Sequence, residues 1–517
     1  MFSYLMQGFA NVFQPFTFLL AVFGTLVGTI IGALPGLSGS TGIILLLPLV
    51  YKMEASQALI MLCGLFCGSM YGGSIAAILI NTPGTPSASA TVLDGYPLCQ
   101  QGKAGKALGV SAVSSFLGGL ISTICLILIA PQLAKIALNF KAADYFALSF
   151  FGLTIMASTG KDPIKGIISG MLGLLISTIG VDKLMGIDRF TFGNYKLMRG
   201  IPLLSVLIGV FALSEFFMQS SVKGDQKGKL TAQKIGRVLP TWVDFKGFAL
   251  AAIVGAVIGV FIGIIPGTGG SISCFIAYQV AKRFSKNKDQ FGNGALEGIA
   301  APEASNNGTT GGALIPMLCL GVPGDVVTSV MLGALTLIGV KPGPQLFNES
   351  PDIVYAIFAG MFVIQFLMLA MGIGCAKVSP LILRISRTLL MPIVAILCII
   401  GAFSNATNVL DILIAVIFGV VGYVFKEFGY PGAPLVLGLI LGSMAEENLD
   451  RALILSGNNW GVFFASPISC IFMILSIGSI LYALYANIKS IAKARSAGGS
   501  AAEAGAGATA STEAEEK

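Results

Sequence analysis

Two stretches decide the fold: G-T-I-I-G-A-L-P-G-L-S-G-S at Gly28–Ser40 and G-V-F-I-G-I-I-P-G-T-G-G-S at Gly259–Ser271. At a constant offset of 231, Gly28, Gly32, Pro35, Gly36, Gly39 and Ser40 align with Gly259, Gly263, Pro266, Gly267, Gly270 and Ser271. A second pair follows in the same order. Gly72-Gly73 leads to Thr82-Pro83-Gly84, and Gly311-Gly312 leads to Val322-Pro323-Gly324 with one residue inserted. Two landmarks in one order, twice, argue for an internal duplication. Each landmark puts Pro-Gly inside an apolar run. Proline removes a donor and glycine permits left-handed backbone, so each marks a broken helix.

The rest of the chain says in what solvent these breaks lie. Hydrophobic residues make up 55% and charged residues 11% of 517, with a mean hydropathy of +0.87. Soluble domains carry about 25% charged residues. The expected fold is therefore an all-α polytopic membrane protein, with roughly 10–14 membrane segments. Runs such as 41–50 and 310–321 are too short to cross alone, the length expected of re-entrant or broken helices. The first 15 residues hold no Lys or Arg, so the run Pro15–Leu34 reads as a retained span and not as a cleaved leader. A basic segment at 218–246, with Lys223, Lys227, Lys229, Lys234, Arg237 and Lys246, is expected in the cytoplasm. It separates a first repeat, 1–217, from a second repeat with additional helices, 247–487. The Ala/Gly/Ser/Glu-rich tail 488–517 is expected to be disordered. An uncharged N-terminus outside and a linker inside would insert the two repeats in opposite orientations.

Backbone freed by a break in lipid survives where it lines a cavity or is buried in protein. Helices restarting after a break aim N–H groups and a positive dipole end inward, which holds a carboxylate without Lys or Arg. The expected substrate site is Ser38, Gly39 and Ser40 at the first break, and Asn81, Thr82, Pro83, Gly84 and Thr85 at the second. Gly270 and Ser271 supply it at the third, and Gly321, Pro323 and Gly324 at the fourth. Ion-coupling candidates are Asn81, Glu303, Asn306, Asn307 and Asp325, Glu303 first among them because an intramembrane carboxylate is functional by default. Asp94, in L-D-G-Y-P, also suits a loop turn, and Glu446, Glu447, Asp450 and Arg451 read as an ion-pair cluster at a loop end. Small residues also serve helix packing, but four polar-flanked breaks in duplicated positions favour a site.

Other chemistries find no support. There is no histidine for a zinc site or proton relay, no G-x-x-x-x-G-K-[ST] phosphate loop and no G-x-S-x-G elbow. The nine cysteines lie mostly in apolar runs and read as packing residues. No cofactor is expected beyond Na⁺ or H⁺ as coupling ion.

The same landmarks carry a resemblance. Leu34-Pro-Gly-Leu, then Y-G-G-S-I-A-A-I-L-I-N-T-P-G, then D-G-Y-P at Asp94 resemble the large membrane subunit of tripartite tricarboxylate transporters. So do I-P-G-T-G-G-S at Ile265, F-G-N-G-A-L-E-G-I-A-A-P-E-A-S-N-N at Phe291, L-G-V-P-G-D at Leu320 and K-P-G-P-Q-L-F at Lys341. The likeness spans about residues 15–485. Ser38-Gly39-Ser40-Thr41 and Ala281 depart from the usual pattern. The resemblance implies a gradient-driven importer of a citrate-like or other small carboxylate in a bacterial inner membrane. It also implies two partners, a small four-helix membrane subunit and a periplasmic solute-binding protein. A partner-independent exchanger or exporter of organic anions is the competing reading.

Overall fold

The computed structural model describes residues 2–50, 52–158, 162–182, 184–221, 235–267, 269–383, 387–404, 408–481 and 485. The basic residues at 223, 227, 229 and 234 and the tail lie outside them. The chain divides into two compact units, residues 1–141 with 176–428, and residues 142–175 with 429–517.

The first unit begins with α1 (Phe2–Val12), α2 (Pro15–Ala33), α3 (Gly39–Val50), α4 (Ala55–Ile80), α5 (Val92–Leu98) and α6 (Ala104–Ala137). The chain then forms α7 (Ala142–Ser158) and α8 (Pro163–Ser177), whose residues up to 175 belong to the second unit. Back in the first unit follow α9 (Leu203–Leu207), α10 (Ser214–Ser221), α11 (Trp242–Ile264), α12 (Gly269–Phe284), α13 (Leu296–Leu320) and α14 (Val326–Leu337). It closes with α15 (Leu346–Glu349), α16 (Pro351–Gly374), α17 (Ser379–Ile382), α18 (Arg387–Ser404) and α19 (Val409–Glu427), before α20 (Gly432–Leu455) returns to the second unit. Among the described residues, seven helices are long and apolar enough to cross a membrane, and six apolar helices are shorter. The only strands described form a small hairpin, Gly180–Val181 paired with Asp188–Arg189.

Glycines decide how the long helices pair. On α2, Gly24, Gly28 and Gly32 recur every four residues and press on the backbone of Met61, Leu65 and Ser69 of α4. Gly64, Gly68 and Gly72 of α4 answer against Ala21, Thr25 and Thr29. The second half repeats the joint. Gly255, Gly259 and Gly263 of α11 meet Ala301, Ser305 and Thr309 of α13. Small residues at this spacing let backbones approach closely, which is how helices associate where lipid offers no hydrophobic drive.

The order of these contacts gives directions. Residue numbers rise together along α2 and α4, and along α11 and α13, so each pair is parallel. Between the pairs they run oppositely: Ser74 meets Glu303, and Met70, nearer the start of α4, meets Asn306. The two similarly built pairs are therefore inverted relative to each other. A later helix of each half joins the other pair. α6 runs with α13 through Ser115–Glu303, Ser122–Asn307 and Ala130–Cys319. α16 runs with α4 through Gly360–Ile60, Gln365–Cys67 and Gly372–Tyr71.

One expectation changes here. The run 310–321 is no separate short helix; it is the second half of α13, which continues through A-P-E-A-S-N-N-G. The helix need not stop at these polar residues because protein surrounds it: every residue from Gly298 to Leu320 is buried. α13 is long enough to span but too polar for lipid, and it lies in the interior.

In the second unit, Gly170 and Gly173 pack against Gly438 and Leu435 of α20. Ser469 N donates to Asp144 Oδ1 at 3.0 Å, and Phe146 lies 4.7 Å from Phe463 between ring centres. The acidic cluster expected at a loop end sits inside α20 instead, where Arg451 and Glu447 pair one turn apart at 2.8 Å. The apolar face of that helix carries it through the charged patch.

Candidate functional site

The four breaks are built alike in pairs. After α2 the amide of Leu34 closes on Ile31 O at 3.2 Å; after α11 the amide of Ile265 closes on Ile262 O at 3.1 Å. Gly36 and Gly267 then turn the chain through φ of +93° and +83°, a region that costs L side chains strain. α4 and α13 end on left-handed residues, Asn81 at +57° and Gly321 at +70°. Asn81 thus does at its helix end what glycine does in the other half. It is exposed, as is Thr82, and neither joins the buried polar cluster described below.

Each half brings its own two breaks together. Gly84 N donates to Gly73 O at 3.0 Å, and Gly84 lies against the Gly32 carbonyl. Gly267 N donates to Gly324 O at 2.7 Å, and Gly324 lies against the Gly263 carbonyl. The halves then cross over. Gly39, opening α3, sits by Ser69 Oγ of α4 and by Val327 of α14. Gly270, opening α12, sits by Ser87, just after the second break, and by Asn306 and Thr309 of α13. All four breaks therefore surround the crossing of α4 and α13.

The polar groups at this crossing are specific. Ser38 Oγ accepts from Thr41 N at 3.4 Å and contacts Ser40 Oγ at 2.7 Å and Thr41 Oγ1 at 3.1 Å, capping α3. Thr85 Oγ1 and Ser87 Oγ are bonded at 3.2 Å. Asn306 is fully buried; its Nδ2 donates to Met70 O at 3.0 Å, while its Oδ1 has no partner. A methyl group on Gly270 would lie 3.2 Å from that Oδ1, 3.3 Å from Thr309 Oγ1 and 3.1 Å from Ser87 Cβ. Only the bare glycine lets the start of α12 pack this closely on Ser87, Asn306 and Thr309. Asn307 Oδ1 and Ser305 Oγ are also buried without partners. Ser271 is half-buried on the same helix start.

Two carboxylates from the coupling candidates have defined roles. Asp325 caps α14, accepting from Thr328 N at 2.7 Å and Thr328 Oγ1 at 2.7 Å. Glu303, fully buried one helical turn before Asn307, is ringed by hydroxyls: Ser74, Thr91, Ser111 and Ser115 all donate to it. The sequence reading missed that ring and Thr309. Ser111 and Ser115, four apart in an apolar helix, were the available signal. Asp94 is a buried clasp: its carboxylate accepts from Gly292 N, Gly294 N, Ala295 N and Tyr278 Oη at 2.8–2.9 Å. It caps a turn, as one reading allowed, but a turn of the other half. The ion pairs Lys106–Asp244, Arg189–Asp182, Arg199–Asp411, Lys426–Glu215 and Arg451–Glu447 involve none of these residues.

This geometry has counterparts among known proteins. Residues 18–437 match the tripartite tricarboxylate transporter TctA family, a segment that contains all four breaks. The chain belongs to that family. It is 35% identical over 492 residues to an uncharacterized 52.8 kDa protein in the TAR-I ttuC' 3' region of Agrobacterium vitis, covering 94% of this chain and 97% of that one. An uncharacterized protein in the TAR-II ttuC' 3' region of the same organism is 34% identical over 232 residues, 45% of this chain and 96% of that one. No solved structure matches the chain. The TctA family is the large subunit of tripartite tricarboxylate transporters, so the chain is a multi-pass membrane subunit of a transporter.

Proposed function

We propose that the chain imports a small carboxylate across a bacterial inner membrane, driven by an ion gradient. In this reading a periplasmic binding protein delivers the substrate and a small four-helix membrane subunit completes the complex. The observation that supports it is that the broken-helix ends of the two inverted halves cross over, Gly39 packing on Ser69 and on Val327 of the other half, and Gly270 on Asn306 and on Ser87 of the other half, beside the Asn306–Met70 contact of α13 with α4. Inverted repeats with broken helices at their interface are the architecture in which secondary transporters hold substrate. The carboxylate is met by helix-start N–H groups at α12 and α3 in place of Lys or Arg, and its other polar atoms find the unpaired Asn306 Oδ1 and the hydroxyls of Ser87 and Thr309. The end of the first unit carrying Lys103, Lys106, Arg237, Lys246, Lys282 and Arg283 faces the cytoplasm, by the excess of positive charge.

Uptake by the purified complex in proteoliposomes tests this. Saturable uptake of a di- or tricarboxylate, dependent on the binding protein and on an imposed gradient, is expected. Uptake that needs neither partner would instead identify a self-sufficient exchanger, and conductance without saturation a channel.

A further inference from the structure

Glu303 is a buried carboxylate whose bonds all come from neutral groups. Oε1 accepts from Ser74 Oγ of α4 at 2.5 Å and from Thr91 Oγ1; Oε2 accepts from Ser111 and Ser115 Oγ of α6, each at 3.1 Å. Every donor belongs to the first half of the chain, and the acceptor to the second. Among the described residues no Lys or Arg pairs with Glu303. A charge buried without a counter-charge is costly, and four hydrogen bonds to an ionised oxygen pair are the compensation the fold supplies.

A carboxylate can only accept, whereas a carboxylic acid must also donate. Adding a proton to one Oε therefore obliges at least one of the four hydroxyls to turn and accept. The seam between α13 and its partners α4, α6 and the Thr91 segment then changes its bonding. Thr91 stands four residues after Ser87, which packs on Gly270, so the change lies one short segment from the proposed substrate site. Hydroxyls fill both Oε positions, which suits a proton better than a metal ion.

We propose that Glu303 is the proton-carrying group that couples uptake to a proton gradient. The proposal rests on the transport reading above. The step is a protonation alone: carboxylate plus proton gives carboxylic acid, and the proton leaves on the other side of the membrane. Other titratable groups packed on this seam are engaged differently. Tyr71 of α4 donates to Gly372 O at 3.2 Å, Cys274 of α12 donates to Pro302 O at 3.3 Å, and Asp94 of α5, near Gly298, holds the clasp.

The test compares wild type with Glu303→Gln in the reconstituted complex. The glutamine is neutral in every state, so it should still exchange labelled for unlabelled carboxylate but lose accumulation driven by a pH gradient by about tenfold or more, the size of an ordinary coupling free energy. Ser111→Ala/Ser115→Ala keeps the carboxyl and guards against a folding defect in the first variant. With donors to the charged form removed, its pH profile of uptake should move toward higher pH by about one unit, the weight of a hydrogen bond to a charged group. Proton-driven accumulation by Glu303→Gln equal to wild type overturns the proposal. So does an unmoved profile in the double variant, or wild-type uptake driven by Na⁺ alone and indifferent to pH. A wild-type complex that takes up no carboxylate under any gradient overturns the transport reading itself.

Discussion

Gly270→Val will reduce carboxylate uptake by about a hundredfold, the penalty typical of displacing a reacting or binding group by an ångström. The position opens α12 beside Ser87, Asn306 and Thr309, with oxygens 3.2 and 3.3 Å from where a first side-chain carbon would stand. Alanine fits with small shifts and should leave partial uptake; the branched valine would push Ser87, Asn306 and Thr309 off their positions. Neither change touches the left-handed turn, which is made by Gly267 and Gly269, so both variants should elute from size exclusion as wild type does. Transport rates measured with equal amounts of folded complex decide the point. A valine variant that transports normally would place the substrate elsewhere.

Asp94→Ala is the substitution expected to weaken the fold most among those considered. Alanine removes the acceptor for three main-chain amides and for the Tyr278 hydroxyl, and Asp94, Ala295 and Tyr278 are buried. Each buried donor left unpaired costs about 1–3 kcal/mol. Because Gly292 is exposed and regains a bond to water, and Gly294 is half-buried, the two buried donors on Ala295 and Tyr278 set a loss of about 2–6 kcal/mol. Asp94→Asn keeps one acceptor oxygen and should lose less. Thermal unfolding in detergent, followed by light scattering or intrinsic fluorescence, should rank wild type above asparagine and asparagine above alanine. Equal midpoints for all three would show that the clasp contributes nothing.

What could be read from the residues was what repeats locally. The offset of 231 between Gly28 and Gly259, the Pro-Gly dipeptides and the isolated Glu303 are short-range patterns, and each marks a structural feature. The partners of these features were not legible, because they are fixed by packing between distant segments. Nothing near Ser111 says that it will face Glu303; that follows only once α6 runs beside α13. Likewise 310–321 reads as a short segment on its hydropathy, since the fact that prolongs the helix, burial of Asn306 and Asn307 in protein, is tertiary. The chemistry of Asn81 is legible in the sequence, whereas its left-handed backbone at the end of α4 is set by the fold. The strand pair at Gly180–Val181 and Asp188–Arg189 is too short to leave an alternating pattern.

The four broken-helix ends are expected to form one water-accessible carboxylate site at the crossing of α4 and α13. Single cysteines placed at Ser87 and Ser271, in a background lacking the nine native cysteines, test it most directly by their rate of reaction with a charged maleimide in the assembled complex. Both are expected to react, saturating transported carboxylate to slow both, and a cysteine at the exposed Phe192 to react at the same rate with or without it. Reaction at positions 87 and 271 that no transported carboxylate slows would contradict it.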